Sequence, residues 1–271
     1  MKNLFYKDSN IPYIEVRHTT HSNKEYKEHF HTTLSIGAII DGTANFTSNK
    51  KRIILNQETL VVLNPLTLHS CNPIKSNFRS YYMLYLDTNW AYNLQKTIFT
   101  NINAFAPVSK NLIIDKNDYI KFIKLNNSLL NKDILYLQKQ EAIEEFFRDF
   151  FKKHCNKKLI HTIETNKNSR KIEMAKEYIE HNYNKNLTIE EIAQKINLSP
   201  FHFSRIFKNS MNISPYQYLL NIRVEKAKDF LKNSSVKIAD IAQELGFNDQ
   251  SHFNRVFKSL TTITPYEYKI S

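Results

Sequence analysis

A chain of 271 residues with 38 Lys+Arg against 26 Asp+Glu, net +12, is long enough for two separately buried cores and suits a polyanionic partner. Two cysteines, Cys71 and Cys155, exclude a disulfide framework and point to a reducing cytosol. No run approaches the ~18 apolar residues needed to span a bilayer, and the opening MKNLFYKDSN carries no apolar run behind its lysine, so neither membrane nor signal peptide is expected.

Residues 1–115 read as β. Short β-rich runs (Tyr13–Arg17, Leu34–Ile40, Arg52–Leu55, Thr59–Leu63, Tyr81–Leu86) alternate with turn signals, as in a small sandwich or barrel. Asp41-Gly42 predicts a hairpin, because type I′ turns need positive φ. From 116 to 153 the period changes. Tyr119, Phe122, Ile123 and Leu130, then Ile143, Phe146, Phe147, Phe150 and Phe151, recur every three or four positions, and Asn131-Lys132-Asp133 separates two helices. That phenylalanine stripe packs either on its own β-domain or against a second subunit. His154 to Ser169 is polar and aperiodic, a linker. An opening helix over Met174–Ile179 begins an all-helical region from Arg170 to the end.

That region says nearly the same thing twice. IEEIAQKINLSPFHFSRIFKNSMNISPYQY starts at Ile189, and IADIAQELGFNDQSHFNRVFKSLTTITPYEY starts at Ile238. The offset is 49 before the turn and 50 after it, so one supersecondary unit is used twice. In the first copy Thr188 and Glu191 form a capping box. Ser199-Pro200 then starts a helix with Phe203, Ile206, Phe207 and Met211 inward and Phe201, His202, Ser204, Arg205, Lys208 and Asn209 outward. In the second, Lys237 replaces the capping threonine and Gly246 sits in the turn. Phe253, Val256, Phe257 and Leu260 point inward, and Gln250, Ser251, His252, Asn254, Arg255 and Lys258 outward. No acid occurs between Glu191 and Glu225 or between Asp249 and Glu267.

Two short helices and a tight turn, the second basic and free of carboxylates, are the helix-turn-helix plan. A helix from Ser214-Pro215 to about Lys232 spans roughly 27 Å. With its flanking turns it can hold two reading helices on one side of a duplex, whose grooves repeat at about 34 Å. Arg205 and Arg255 can contact guanine, Ser204, Gln250, Ser251 and Asn254 can hydrogen-bond to bases, and Phe201 can meet a thymine methyl. Lys208 and Lys258 suit phosphate, and contact with phosphate alone is the alternative for either arginine.

At these residues the chain resembles the AraC/XylS family of bacterial transcription regulators, over about a hundred residues from Arg170 to Ile270. Gly246-Phe247, Asp249, Ser251, Phe253, Arg255, Phe257-Lys258 and Thr264-Pro265 fit the family signature. The glycine usual before the S/T-P pair is absent from both copies, where Asn212 and Thr262 stand, a departure that bears on turn geometry. The resemblance implies two helix-turn-helix units in one chain, joined by a long helix and reading adjacent grooves of double-stranded DNA.

More loosely, His29-Phe30-His31, Asp41-Gly42 and Leu63-Asn64-Pro65 with His69-Ser70-Cys71 are similar to the family's cupin-like sensor domains. The fold implied is α+β multidomain. A cupin-like effector-binding β-barrel (1–115) and a two-helix dimerisation segment (116–153) precede a linker (154–169) and an all-α double helix-turn-helix domain (170–271). Homodimerisation and contact with RNA polymerase follow as expected partners. Neither effector, operator nor sign of regulation is legible.

His29 and His31, and His69 and Cys71, each share a face of an extended segment. They can line an effector pocket, form a four-ligand N/S set for zinc, or merely pack. Enzymatic cupins carry a glutamate shortly after H-x-H; here Ser35 stands there, so neither a metal nor another cofactor is expected. Cys71 has no basic neighbour in sequence to favour its thiolate. Two competing enzyme readings fall short: a metal-dependent cupin lacks that glutamate, and an alkyl-transfer repair protein lacks the necessary cysteine cluster.

Overall fold

In the computed structural model, residues 2–48, 51–74, 77–100, 102–155, 167–233 and 236–271 are described. Two compact units emerge: Met1–Glu25 with Phe30–Ile163, and Tyr26–His29 with Glu164–Ser271.

Among its described residues the first unit contains nine strands: β1 (Lys2–Tyr6), β2 (Ile14–Ser22), β3 (Leu34–Asp41), β4 (Ala44–Ser48), β5 (Lys51–Leu55), β6 (Thr59–Leu63), β7 (His69–Pro73), β8 (Arg79–Leu86) and β9 (Leu112–Ile114). They form a six-stranded sheet, β1-β2-β8-β3-β6-β9, and a three-stranded sheet, β5-β4-β7, with antiparallel pairing throughout. The period of two sorts the large sheet's residues between two cores. Ile36, Leu60, Val62, Tyr82 and Leu84 turn one way, to the helices. Ile39, Val61, Leu63 and Tyr81 turn the other way, to Ala44, Phe46 and Leu55 of the small sheet.

Three helices cover the outer core: α1 (Thr88–Ile98), α2 (Lys116–Leu130) and α3 (Tyr136–His154). The first falls in a region expected to be all β. Asp87 caps it by accepting the Trp90 N–H at 2.8 Å, and Ala91 and Leu94 bury its inner face. Asn131 ends α2 as its spacing predicts. Phe147 and Phe151 are fully buried, Phe146 and Phe150 nearly so, all within their own unit's core. That stripe is therefore consumed internally and offers nothing to a second subunit, because its apolar faces are already removed from water.

The Asp41-Gly42 hairpin does not form. Gly42 has φ +75°, as its sequence context predicts, but the flanking strands enter different sheets. A Cβ there would lie 2.4 Å from the Phe78 carbonyl, so glycine serves a corner between sheets.

The second unit contains seven helices among its described residues: α4 (Lys167–His181), α5 (Ile189–Lys195), α6 (Pro200–Met211), α7 (Pro215–Asn233), α8 (Ile238–Glu244), α9 (Gln250–Thr261) and α10 (Pro265–Lys269). The opening helix is longer than the expected Met174–Ile179, and most of the expected linker, 156–166, lies outside the described residues. No described helix is long and apolar enough to cross a membrane.

Candidate nucleic-acid interface and effector site

The repeated sequence builds the same packing twice. Phe203 meets Phe207 at 5.5 Å between ring centroids, edge to face, and Phe207 meets Tyr218 at 5.5 Å. In the second copy Phe253 meets Phe257 at 5.6 Å and Phe257 meets Tyr268 at 5.7 Å. All four phenylalanines are fully buried. Such edge-to-face clusters contribute beyond their buried area, and they fix the rotation of α6 and α9 about their axes.

Capping fixes where each helix begins. Thr188 and Glu191 form the reciprocal box at α5. Ser199 accepts the His202 N–H at the start of α6, and Asp249 accepts the His252 N–H at 2.7 Å at the start of α9. Lys237 supplies no side-chain cap to α8, which forms nonetheless on packing by Ile241 and Ala242. Asn197 and Gly246, at matching places in the repeat, carry the tight turns with φ of 51° and 77°. Asn212 and Thr262 end α6 and α9 in the left-handed region, at 59° and 66°. Loss of the family's glycine has left that turn geometry intact, at the strain of a side chain with positive φ.

With the aromatic side inward, the opposite side is presented to solvent. Phe201, Arg205, Lys208 and Asn209 on α6, and Gln250, Ser251, Arg255 and Lys258 on α9, are exposed. His202, Ser204, His252 and Asn254 are half-buried, and the Asn254 side-chain oxygen is shut from solvent with no hydrogen-bond partner. Ile206, Met211, Val256 and Leu260, expected inward, are only half-buried, at the margins of the aromatic clusters. Between the copies, α7 has 19 residues, about 28 Å at 1.5 Å each. Its Arg223 is 5 % exposed, donating through Nε to Tyr183 O at 2.7 Å and through Nη2 to Lys185 O at 2.9 Å. This arginine is part of the scaffold.

His69 opens β7 in the sensor unit and Cys71 shares its face; His31 precedes β3 outside any strand, and His29 falls within the second unit. His29, His31 and His69 are each buried. Nδ1 of His29 is 2.8 Å from Lys27 O, and Nδ1 of His69 is 2.9 Å from Thr67 O. In both contacts the carbonyl can only accept, so Nδ1 carries the proton. Ser35, at the place of the cupin glutamate, is buried and hydrogen-bonded to Thr33 at 3.1 Å.

Cys71 has a basic neighbour after all. Arg79 donates to its carbonyl at 2.8 Å and its charge acts on the thiol. Burial nevertheless pushes the thiol above its ordinary pKa, and the guanidinium only partly offsets this. Eight residues and a loop separate the two in sequence, so the pairing was not legible there.

The sequence matches two family descriptions: an AraC-like ligand binding domain over residues 11–107 and a helix-turn-helix domain over residues 192–270. The chain belongs to the AraC family of DNA-binding transcription regulators. It is 23% identical over 228 residues to the uncharacterised HTH-type transcriptional regulator YbfI of Bacillus subtilis, covering 84% of this AraC-type chain and 81% of that one. Over 127 residues it is 30% identical to the lactose operon transcription activator of Staphylococcus xylosus, covering 47% and 42% respectively. Its fold is similar to that of ToxT from Vibrio cholerae, with TM-score 0.64 at 16% identity, covering 95% of this chain and 97% of ToxT. A further ToxT structure holds an unsaturated fatty acid.

Proposed function

We propose that this AraC-type regulator reads DNA through α6 and α9. Arg205 and Arg255 would read bases, with Ser204, Gln250, Ser251 and Asn254 beside them. Phe201, His202, Asn209 and His252 would complete the interface, and Lys208 and Lys258 would hold phosphate. The observation that carries this reading is the exposure of both arginines on acid-free helices oriented by identical aromatic cores. The N-terminal domain binds a small effector in this reading, in a pocket for which His29, His31, His69 and Cys71 are the candidate residues. Its occupancy shifts how the DNA-binding unit engages, which requires different affinity for two arrangements. ToxT, with a similar fold, has been seen with an unsaturated fatty acid, which supports a small-molecule effector here.

The protein acts in the cytosol as a homodimer through the outward sides of residues 116–153. It works as an activator in contact with RNA polymerase, and is not an enzyme. Relatives known as an operon activator and an operon regulatory protein support that sign and class. A mobility-shift titration tests the core of the proposal: the protein should prefer its own promoter to scrambled DNA at physiological salt. Equal affinity for both would reject it.

A further inference from the structure

We propose that Tyr216 and Tyr266 are a further matched pair of DNA contacts, each donating its hydroxyl to a backbone phosphate beside Lys208 and Lys258. That role rests on the reading of α6 and α9 as the DNA-binding helices and extends it to the helices that follow them, α7 and α10.

The internal repeat separates what packing requires from what a shared partner requires. Aligned from Ser199 on Asp249, the copies hold the same residue at three exposed positions: Arg205 with Arg255, Lys208 with Lys258, and Tyr216 with Tyr266. At other exposed positions they differ, as Phe201 does from Ser251 and Gln217 from Glu267. A duplex presents different bases to the two reading helices but the same phosphodiester to both. Side chains that meet bases can therefore diverge between copies, while side chains that meet the backbone stay alike. Tyr218 and Tyr268, two residues on, are also alike, but they are buried against Phe207 and Phe257, with ring centroids 5.5 and 5.7 Å apart. No such packing accounts for Tyr216 and Tyr266. They are 53 % and 61 % exposed, and their hydroxyls take no hydrogen bond among the described residues. Rings left in water forgo the stabilisation that burial brings.

Position favours phosphate. Lys208 and Lys258 occupy the last turns of α6 and α9, after which the chain bends through left-handed Asn212 and Thr262. Buried Ile213 and Ile263 pin the short connection that follows. Tyr216 and Tyr266 stand in the first turns of α7 and α10, so each lies at the same end of its copy of the repeat as the lysine. Two residues along a helix are about 200° of rotation apart. With Tyr218 and Tyr268 turned inward, Tyr216 and Tyr266 point away from the aromatic cores. Glu267, the carboxylate next to Tyr266, is held in the capping box with Thr264. A phenol hydroxyl donates one directed hydrogen bond and brings no positive charge, so it fixes register where the lysines supply attraction.

The test compares full-length wild type with Tyr216→Phe, Tyr266→Phe and the double variant in mobility-shift titrations on promoter and scrambled DNA across a series of salt concentrations. Each phenylalanine should weaken binding to both DNAs by about three- to tenfold, and the double variant by roughly the product. The preference for promoter over scrambled DNA should not change, nor should the salt slope, since no cation is lost. Melting temperature reads folding in the same preparations, and loss of an exposed, unbonded hydroxyl should leave it unaltered. Phenylalanine variants that bind as wild type does would overturn the inference. So would a loss confined to promoter DNA, which marks base reading, or binding kept in Tyr216→Phe and lost in Tyr216→Ala, which marks an apolar contact. A wild type that itself shows no promoter preference rejects the reading of α6 and α9. A wild type that keeps its preference beside unaffected phenylalanine variants rejects the tyrosine role alone.

Discussion

Replacing Gly246 by alanine is the sharpest test of how the second helix-turn-helix is held. Gly246 has φ +77°, and a Cβ on it would stand 2.5 Å from Asn184 O and 2.8 Å from Arg223 Nη2. The left-handed conformation alone costs an L-residue ~1–2 kcal/mol. The two close atoms cannot yield cheaply, since one is backbone and the other is tied to Lys185 O at 2.9 Å; overpacking of this kind adds ~1–3 kcal/mol. Together these predict a loss of at least ~2 kcal/mol, which for a unit of this size lowers its melting temperature by at least ~8 °C.

Two controls separate the causes. Asn197→Ala probes the matching turn of the first copy, where a side chain already stands at φ 51°, and should cost under ~1 kcal/mol because asparagine pays most of that strain already. At Gly37 the added Cβ would meet the flexible Met83 sulfur, so Gly37→Ala should cost under ~1.5 kcal/mol. Thermal unfolding followed by circular dichroism reads all three. A Gly246→Ala protein that melts within ~2 °C of wild type, or less stable variants at both control sites, would refute this account of the turn.

Alanine at Lys208 or Lys258 should weaken binding about equally on all DNA sequences and reduce the salt slope of log affinity by about 1 each; a change confined to one sequence would mean base reading instead. Thr188→Ala should cost ~1 kcal/mol through loss of the capping box, while Lys237→Thr should gain ~0.5–1 kcal/mol at the end that lacks one, both read by chemical denaturation. Burial pushes the Cys155 thiol up to about 12, so neither it nor Cys71 should react with a thiol reagent at pH 7.5 until the chain unfolds; rapid native labelling would contradict that. Because the folded pKa of Cys155 is raised, its stabilising contribution is present below pH 9 and is lost as pH climbs from there towards about 12, so alkaline titration of stability should show a decline in that window that Cys155→Ala lacks.

Some of this architecture was legible because local chemistry and tertiary packing agree. The spacing of Phe203 with Phe207, and of Phe253 with Phe257, names the inner face of each reading helix, so the outward residues follow without knowledge of the fold. The capping pairs at Thr188 and Ser199 work within four residues and need no distant partner. Where sequence reasoning failed, the deciding contact was distant. Gly42 looks like a hairpin turn because its conformation is local, yet which sheet each neighbouring strand joins depends on distant pairing, β3 with β8 and β4 with β7. The phenylalanines of α3 look available until the large sheet's outer face is placed against them. The roles of Arg223 and Arg79 were not legible, since only the fold brings the Tyr183 and Lys185 carbonyls to one and the Lys24 and Cys71 carbonyls to the other.

DNA footprinting on the regulator's own promoter, with wild type, Arg205→Ala and Arg255→Ala side by side, addresses the paired-helix reading most directly. Two protected major-groove segments about one helical turn apart are expected. Each substitution should weaken protection and relax base preference in one segment only, at ~1–3 kcal/mol. A single protected segment, or both substitutions affecting the same bases, would contradict it.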